Sequence, residues 1–369
     1  MKNYLVLLLL ALVLIFGTAC SLVPSDEPTP NINYYHIEGA TFSSEKPISY
    51  EEGSTEDLIL PTLTKEGGYI FRGWYDSDSV GTAVTTITSG TTGTVSLYAY
   101  WEIPGISLSN GALVYVPNTA EDTKTSLSIP SYYLGEEVTS VVRVVSEVLE
   151  TVTIPSTVVS MGNEAFMGNT SLATVTGGSG VTTLGMRAFK NCTALATIPE
   201  FPALTTLSSQ VFSGCSSLTT ITIPDGIETL NMIAFKNCTS LHTVLFSGTP
   251  TLTFIACNVF EGCSALTTIT LPTTLDNISG SVFNGCSALT TIVLPDSLTI
   301  LNSNALANTG LTTIFIPDSV TTMGANIFLG CTSLTTIDCE ASAIPGTWHA
   351  DWDTGIGATP AINWGASRL

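Results

Sequence analysis

"LTTITIPDGIETLNMIAFKNCTS", residues 218–240, is one full period of a pattern that fills more than half of the chain. Its first four letters return at 266–269, 289–292, 311–314 and 334–337. Leucines at 149, 172, 195, 218, 241, 266, 289, 311 and 334 open successive units, spaced 23, 23, 23, 23, 25, 23, 22 and 23 residues apart. So constant a period implies a stacked array, in which each unit buries its apolar side against the next.

Column by column, the unit alternates sides as a strand does. Its fourth position is Val152, Val175, Ile198, Ile221, Val244, Ile269, Ile292, Ile314 and Ile337, β-branched throughout, as a buried parallel ladder prefers. Pro155, Pro224, Pro272, Pro295 and Pro317 close the strand, because proline has no N–H for the next ladder bond. A second short extended piece follows, then a turn containing Ala-Phe, then a Cys preceded by Asn, Gly or another small residue. Phe166, Phe189, Phe212, Phe235, Phe260, Phe283 and Phe328, with Leu306 substituting once, predict a stacked aromatic spine. Truncating one of these rings to Ala is expected to cost about 3–5 kcal/mol.

The third position is Thr in all nine units, including Thr220, Thr243, Thr268, Thr291 and Thr313. It precedes the inward residue by one and so faces outward, where stacked Thr pairs each contribute about 0.2–1 kcal/mol. The fifth position also faces outward and is less uniform. Leu245, Val293 and Phe315 interrupt its threonines, and His242 opens the Leu245 strand. Apolar side chains where solvent is expected mark an interaction surface more sharply than a uniform Thr ladder. This set is the candidate partner-binding face.

The pattern L-x-x-I-x-I-P, then V-x-x-I-G-x-x-A-F-x-x-C, resembles the BspA-like (Treponema pallidum type) leucine-rich repeats over residues 149–340. The resemblance implies a right-handed solenoid on a bacterial or protozoan cell surface, in a family with some members that are adhesins for host matrix proteins. The fold class expected is mainly β, a solenoid of about nine units. Residues 104–148, with a degenerate unit around "LSIPSYYLGEEVTSV", are read as its N-terminal cap, and 341–369, with Trp348, Trp352 and Trp364, as its C-terminal cap. Open solenoid ends expose core and strand edges, so caps are required.

Residues 33–103 have another texture, with aromatics alternating against small or polar residues as in half-buried strands. Gly68, Tyr69, Phe71, Gly73, Trp74 and Tyr75, followed by Leu97, Tyr98, Ala99 and Trp101, resemble the Listeria–Bacteroides (internalin B-type) repeat. That resemblance implies a small β-grasp-like domain of surface proteins.

Before it, "MKNYLVLLLLALVLIFGTAC" holds an apolar run from Tyr4 to Phe16 and small residues leading into Cys20. The run has signal-peptide rather than membrane-span proportions. The residues before the Cys resemble a bacterial lipobox, with Gly17 where that motif usually has Leu. Residues 1–19 are thus read as a lipoprotein signal peptide, Cys20 as the lipidated residue and 20–32 as a linker. The expected location is the cell envelope, as a surface-exposed outer-membrane lipoprotein.

Thirty acidic against 10 basic residues give a formal net charge of −20. No basic cluster is present to neutralise phosphates, so a nucleic-acid partner is excluded. Cys192, Cys215, Cys238, Cys263, Cys286 and Cys331 recur at the repeat period rather than at a ligand spacing, and no CxxC occurs. They read as a buried ladder of thiols, while Cys257 and Cys339 fall outside it. His36, His242 and His349 lie in three different regions, and no catalytic triad, zinc-binding or phosphate-loop motif is present. No catalytic residue, metal site or cofactor is assigned, and the chain is read as non-enzymatic. The expected function is a surface-anchored adhesin that binds a host or matrix protein through the solenoid sheet. The alternatives are an envelope scaffold without a specific ligand and a glycan-binding protein using the C-terminal tryptophans.

Overall fold

The computed structural model describes residues 32–368 apart from 38, 48, 50–53, 66–68, 78–80, 117–123 and 200. The apolar leader, Cys20 and the proline-bearing segment after it lie outside the described residues. Within them the chain consists of strands, bridges, turns and bends, with no helix.

The small N-terminal unit is a four-stranded mixed sheet. Ile32–Tyr35 runs parallel to Val95–Glu102, which pairs antiparallel with Ile70–Tyr75, and Ala83–Val84 takes the edge. Its aromatics form its core, as their alternation predicts. Trp74 and Trp101 are buried, and each indole N–H donates to a backbone carbonyl, of Pro61 and His36 respectively. Gly73, at φ +129°, sits at the bulge that shifts the register between Phe71 and Gly73.

From the hairpin Ile106–Ser109/Ala112–Tyr115 onward the chain winds as a solenoid. The rungs extend beyond the nine read from sequence. Ser126–Ser128 pairs in register ahead of Thr151–Ile154, and Ala361–Trp364 pairs after Thr336–Cys339. The first is the degenerate unit read around "LSIPSYYLGEEVTSV", which pairs as a rung as well as closing the end, and the second lies beyond a long connection that hides it from the repeat period.

Three hydrogen-bonded ladders run along the array. The first carries the Thr columns and is broken into three parallel sheets of three strands each. Only single bridges continue it, Thr174 to Thr197 and Thr270 to Val293. At the first break Pro199 stands two residues after Thr197, earlier than the closing proline of other units, and removes a ladder N–H. The second ladder is the uninterrupted one. Two-residue strands such as Thr183–Leu184, Thr206–Leu207 and Thr229–Leu230 join, with the N-terminal hairpin, into one 11-stranded sheet. The third runs through the Ala-Phe turns. The N–H of Phe189 donates to Val211, that of Phe212 to Ala234 and that of Phe235 to Val259, so each turn is tied to the next.

Those turns demand a left-handed residue at a fixed place. Glu164, Arg187, Gln210, Ile233, Asn258, Ser281, Asn304 and Asn326 all have φ between 56° and 64°. A second left-handed column four residues on is Gly168, Asn191, Gly214, Asn237, Gly262, Gly285, Asn308 and Gly330, all glycine or asparagine, the residues that tolerate this conformation. This is why a Gly or Asn precedes each column Cys. The first column is Asn at only three of its eight places, and at Glu164, Arg187, Gln210, Ile233 and Ser281 the turn ladder imposes the conformation.

The core is the stack of inward columns. Phe166, Phe189, Phe212, Phe235, Phe260 and Phe283 are fully buried, with successive ring centroids 5.0–5.7 Å apart and planes within 12°. Leu306 interrupts the spine, and Phe328 then meets the edge of Trp352.

Candidate interaction surface

The hydroxyls that crowd this sequence serve two different structural ends. At the turns before the second ladder, Thr182 Oγ1 donates to Val159 O, Thr205 to Thr182 O and Thr299 to Asp276 O, each reaching one rung back. Thr193, Ser216, Thr239, Ser264 and Ser287 repeat this one rung to the next near the Cys column. At most of these places the same carbonyl also accepts a backbone N–H, as Val159 O does from Thr182 and Thr170 O from Ala194, so the hydroxyl adds a second donor to a carbonyl of the preceding rung. Sequence reasoning placed threonine only by strand propensity, and missed that Ser and Thr continue the ladder through the turns.

The Thr of the first ladder are the other class, and they face outward as expected. Thr220, Thr268, Thr291 and Thr313 are exposed, whereas Thr243 is half-buried. Leu245 and Val293 stand in the neighbouring outward column, 49% and 68% exposed. The register places Thr222 beside Leu245, and a bridge places Thr270 beside Val293, so the two are two rungs, about 10 Å, apart. His242 is exposed on the Leu245 rung, one residue before Thr243.

Phe315 departs from the expectation of an exposed apolar side chain. It is half-buried, and the Arg368 guanidinium lies 5.0 Å from its ring centroid. Arg368 is held there by Asp296 and by the Leu294 carbonyl, each at 2.7 Å. The chain's last turn folds back across the face at this point, a contact between residues 53 apart that no local pattern announces.

The tryptophans near the C-terminus do not form a platform. Trp348 and Trp352 are 7% and 2% exposed, packed on each other, and Trp348 donates its indole N–H to Val320 O. Trp364 alone of the three retains appreciable exposure.

The cysteine column is buried and its thiols are free. Each has a task beyond filling space. Cys192 Sγ donates to Phe166 O, Cys215 to Phe189 O, Cys238 to Phe212 O, Cys263 to Phe235 O and Cys286 to Phe260 O, at 3.1–3.2 Å. Where the column changes residue a donor remains, with a partly different acceptor. Asn169 donates to Val144 O of the preceding rung and to Phe166 O of its own turn, while Thr309 Oγ1 donates to Leu306 O of its own turn. Burial pushes the Cys192 and Cys263 thiols up to about 12, which keeps them protonated and unreactive at neutral pH. Cys257 is half-buried outside this column.

Among the described residues no group of three or more His, Cys, Asp or Glu is placed to hold a metal ion, and no helix is long and apolar enough to cross a membrane.

Residues 146–263 and 253–344 match the BspA type leucine rich repeat region, in 6 copies, and residues 31–100 match the Listeria-Bacteroides repeat domain. The repeat matches together span 146–344, more than half of the 369 residues. No curated protein matches the chain. A solved leucine-rich repeat protein from Bacteroides ovatus is 26% identical, with a TM-score of 0.59 and 71% of each chain covered. A leucine rich cell surface protein from Faecalibacterium prausnitzii is 22% identical with a TM-score of 0.47, over 72% of this chain and 96% of that one. The leucine-rich repeat protein of T. pallidum is 22% identical with a TM-score of 0.37, over 62% of this chain and 86% of that one.

Proposed function

The chain belongs to the BspA-type leucine-rich repeat family, and on that premise we propose that it is a non-enzymatic protein-interaction module of the cell envelope. It holds a protein partner, of the host matrix or another cell surface, against the first ladder. The observation that carries this reading is the pair Leu245 and Val293, 49% and 68% exposed on a face lined by a column of threonines. A face of about ten rungs is roughly 45 Å long, enough for a standard protein interface. Aliphatic anchors in a polar surround are the arrangement by which few residues supply most of the binding energy. Lipidation at Cys20 would fix the module to the outer membrane, with the residues between Cys20 and the strand that starts at Ile32 as its spacer.

The test is binding of the full-length protein to a panel of immobilised matrix and serum proteins. Leu245→Thr with Val293→Thr should weaken any captured partner at least tenfold while leaving the melting temperature unchanged, since both side chains already face solvent. Partner affinity that ignores this double substitution refutes the assignment of the face.

A further inference from the structure

The first ladder ends on an open edge. Ala361–Trp364 is the last strand of its sheet, paired parallel with Thr336–Cys339 on one side and with no strand on the other. The Ala361 N–H donates to Thr335 O, so Ala361 and Asn363 turn their N–H and C=O groups toward the array. By the alternation of a strand, Ile362 and Trp364 turn theirs outward, and among the described residues no backbone group meets them.

This edge is bounded as well as open. Pro360 precedes it and has no N–H to offer. Gly365, at φ +71°, then turns the chain back, its N–H donating to Ala341 O and that of Ala366 to Cys339 O. The opposite end of the same ladder is covered. There Tyr69 of the N-terminal unit packs against the solenoid core and donates its hydroxyl to Ser128 O of the first rung.

Sheet edges are usually blunted by a charge, a proline, a bulge or a covering segment. Ala361–Trp364 contains no proline and no charged residue, and its pairing runs in register without a bulge. No residue from Thr354 to Ser367 is charged, although the chain carries a net charge of −20. Arg368 is drawn back along the array to Asp296 and Leu294 O, and Asp338 accepts a bond from the Asn363 side chain at 2.7 Å. The carboxylates of the last rung, Asp351 and Asp353, lie on the turns of the third ladder. Apolar surface is left uncovered as well. The register sets Ile362 over Ile337 and Trp364 over Cys339, both fully buried, yet Ile362 is only half-buried and Trp364 is 37% exposed.

We propose that this edge pairs with the same edge of a second copy, antiparallel, about a two-fold axis through Asn363. That register lets Ile362 exchange both backbone hydrogen bonds with the second copy's Trp364, and Trp364 with the second copy's Ile362. Every open group on the two strands is then satisfied. It also sets the Ile362 side chain opposite an indole twice over, the aromatic and β-branched pairing that sheets favour. Nothing charged on the strand repels an identical strand, and nothing charged there selects a different protein. An isologous contact of this kind closes as a dimer, with the two solenoids joined end to end.

Sedimentation equilibrium and cysteine trapping, both on the full-length protein in mild detergent, test this. The wild-type protein should show a reversible monomer–dimer equilibrium below about 100 μM. Asn363→Cys should form a disulfide-linked dimer under mild oxidation, because the axis brings the two Cα atoms to about 4.5 Å, within disulfide range. Ala361→Cys, also exposed, lies about 14 Å from its counterpart in this register and should be trapped at least tenfold less. The wild type serves as the control for the half-buried Cys257. Ile362→Pro removes an outward N–H from the edge, and in the Asn363→Cys background it should cut trapping at least tenfold while circular dichroism retains the β signal. Leu245→Thr with Val293→Thr should leave trapping unchanged, which separates this edge from the partner face. A wild-type protein that stays monomeric to about 100 μM overturns the proposal. So does equal trapping at 361 and 363, which needs no proline variant to read, or trapping indifferent to a folded Ile362→Pro variant.

Discussion

The thiol column invites a comparison at Cys215 that turns on the sign of a difference. If the column needs only a small apolar filler, Cys215→Val should be better than Cys215→Thr. The two side chains have the same branched shape, and burying an unsatisfied hydroxyl costs about 1–3 kcal/mol. If the column needs a donor, the order reverses. Cys215 is fully buried with Sγ 3.1 Å from Phe189 O, and that carbonyl also accepts the Cys192 N–H. Losing the thiol therefore removes one of two partners rather than orphaning the oxygen, which puts the loss near the usual net value of about 1 kcal/mol. Thr309 fills the equivalent column place and donates at 2.9 Å to Leu306 O, three residues before it, so a hydroxyl at 215 finds an acceptor in its own turn, at Phe212 O, even where it does not reach Phe189 O. Thr should thus exceed Val by about 1 kcal/mol, where the filler account has Val ahead by about 1–3. In urea the donor account corresponds to a midpoint roughly 0.3–1 M higher for Thr than for Val. The assay is equilibrium urea unfolding followed by tryptophan fluorescence and circular dichroism together, because repeat arrays can lose cooperativity and coincident transitions are needed to compare midpoints. A Val variant at least as stable as the Thr variant refutes the donor role.

Two further outcomes follow from the same turns. Burial raises the pKa of Cys192, Cys215, Cys238, Cys263, Cys286 and Cys339 above 9.0, with Cys192, Cys263 and Cys339 at about 12. Protonated thiols are favoured in the folded state, so stability is fully present below about pH 9 and falls as pH rises toward 12. Each cysteine contributes up to about 1.4 kcal/mol per pH unit in that window. Alkaline unfolding monitored by circular dichroism should therefore be steep, and replacing two column cysteines with Thr should flatten it; an unchanged slope counts against the linkage. At Ile233, a β-branched residue held at φ +64°, left-handed backbone costs about 1–2 kcal/mol. Asn, which the same column uses at Asn258, Asn304 and Asn326, should hold stability or raise it by up to about 1 kcal/mol, net of lost burial. Val keeps the strain and should lower it by about 0.5–1.5 kcal/mol. A Val variant that melts above the Asn variant contradicts the strain account.

Much of the fold is legible in the sequence because each column is a nearest-neighbour contact repeated at a fixed offset. The Phe spine, the inward Val and Ile and the outward Thr follow from period and alternation alone. The candidate face was only partly legible. Leu245 and Val293 stand exposed as their column predicts, but Phe315 lies under Arg368. Trp348 and Trp352 could have served a platform by composition, and packing put them inside.

By itself, then, the sequence determined the repeat, its inward and outward sides and the aromatic texture of the N-terminal unit, since burial at a constant spacing leaves no other way to shelter those side chains. Tertiary structure decided the rest. It made the two-residue strands, not the LTTI rungs, the unbroken sheet. It turned cysteines into donors and set an unmarked column of residues left-handed, because carbonyls of one turn must be met from the next. It also brought His36 against Tyr132 and Arg368 over Phe315, contacts between segments with no fixed separation in the chain.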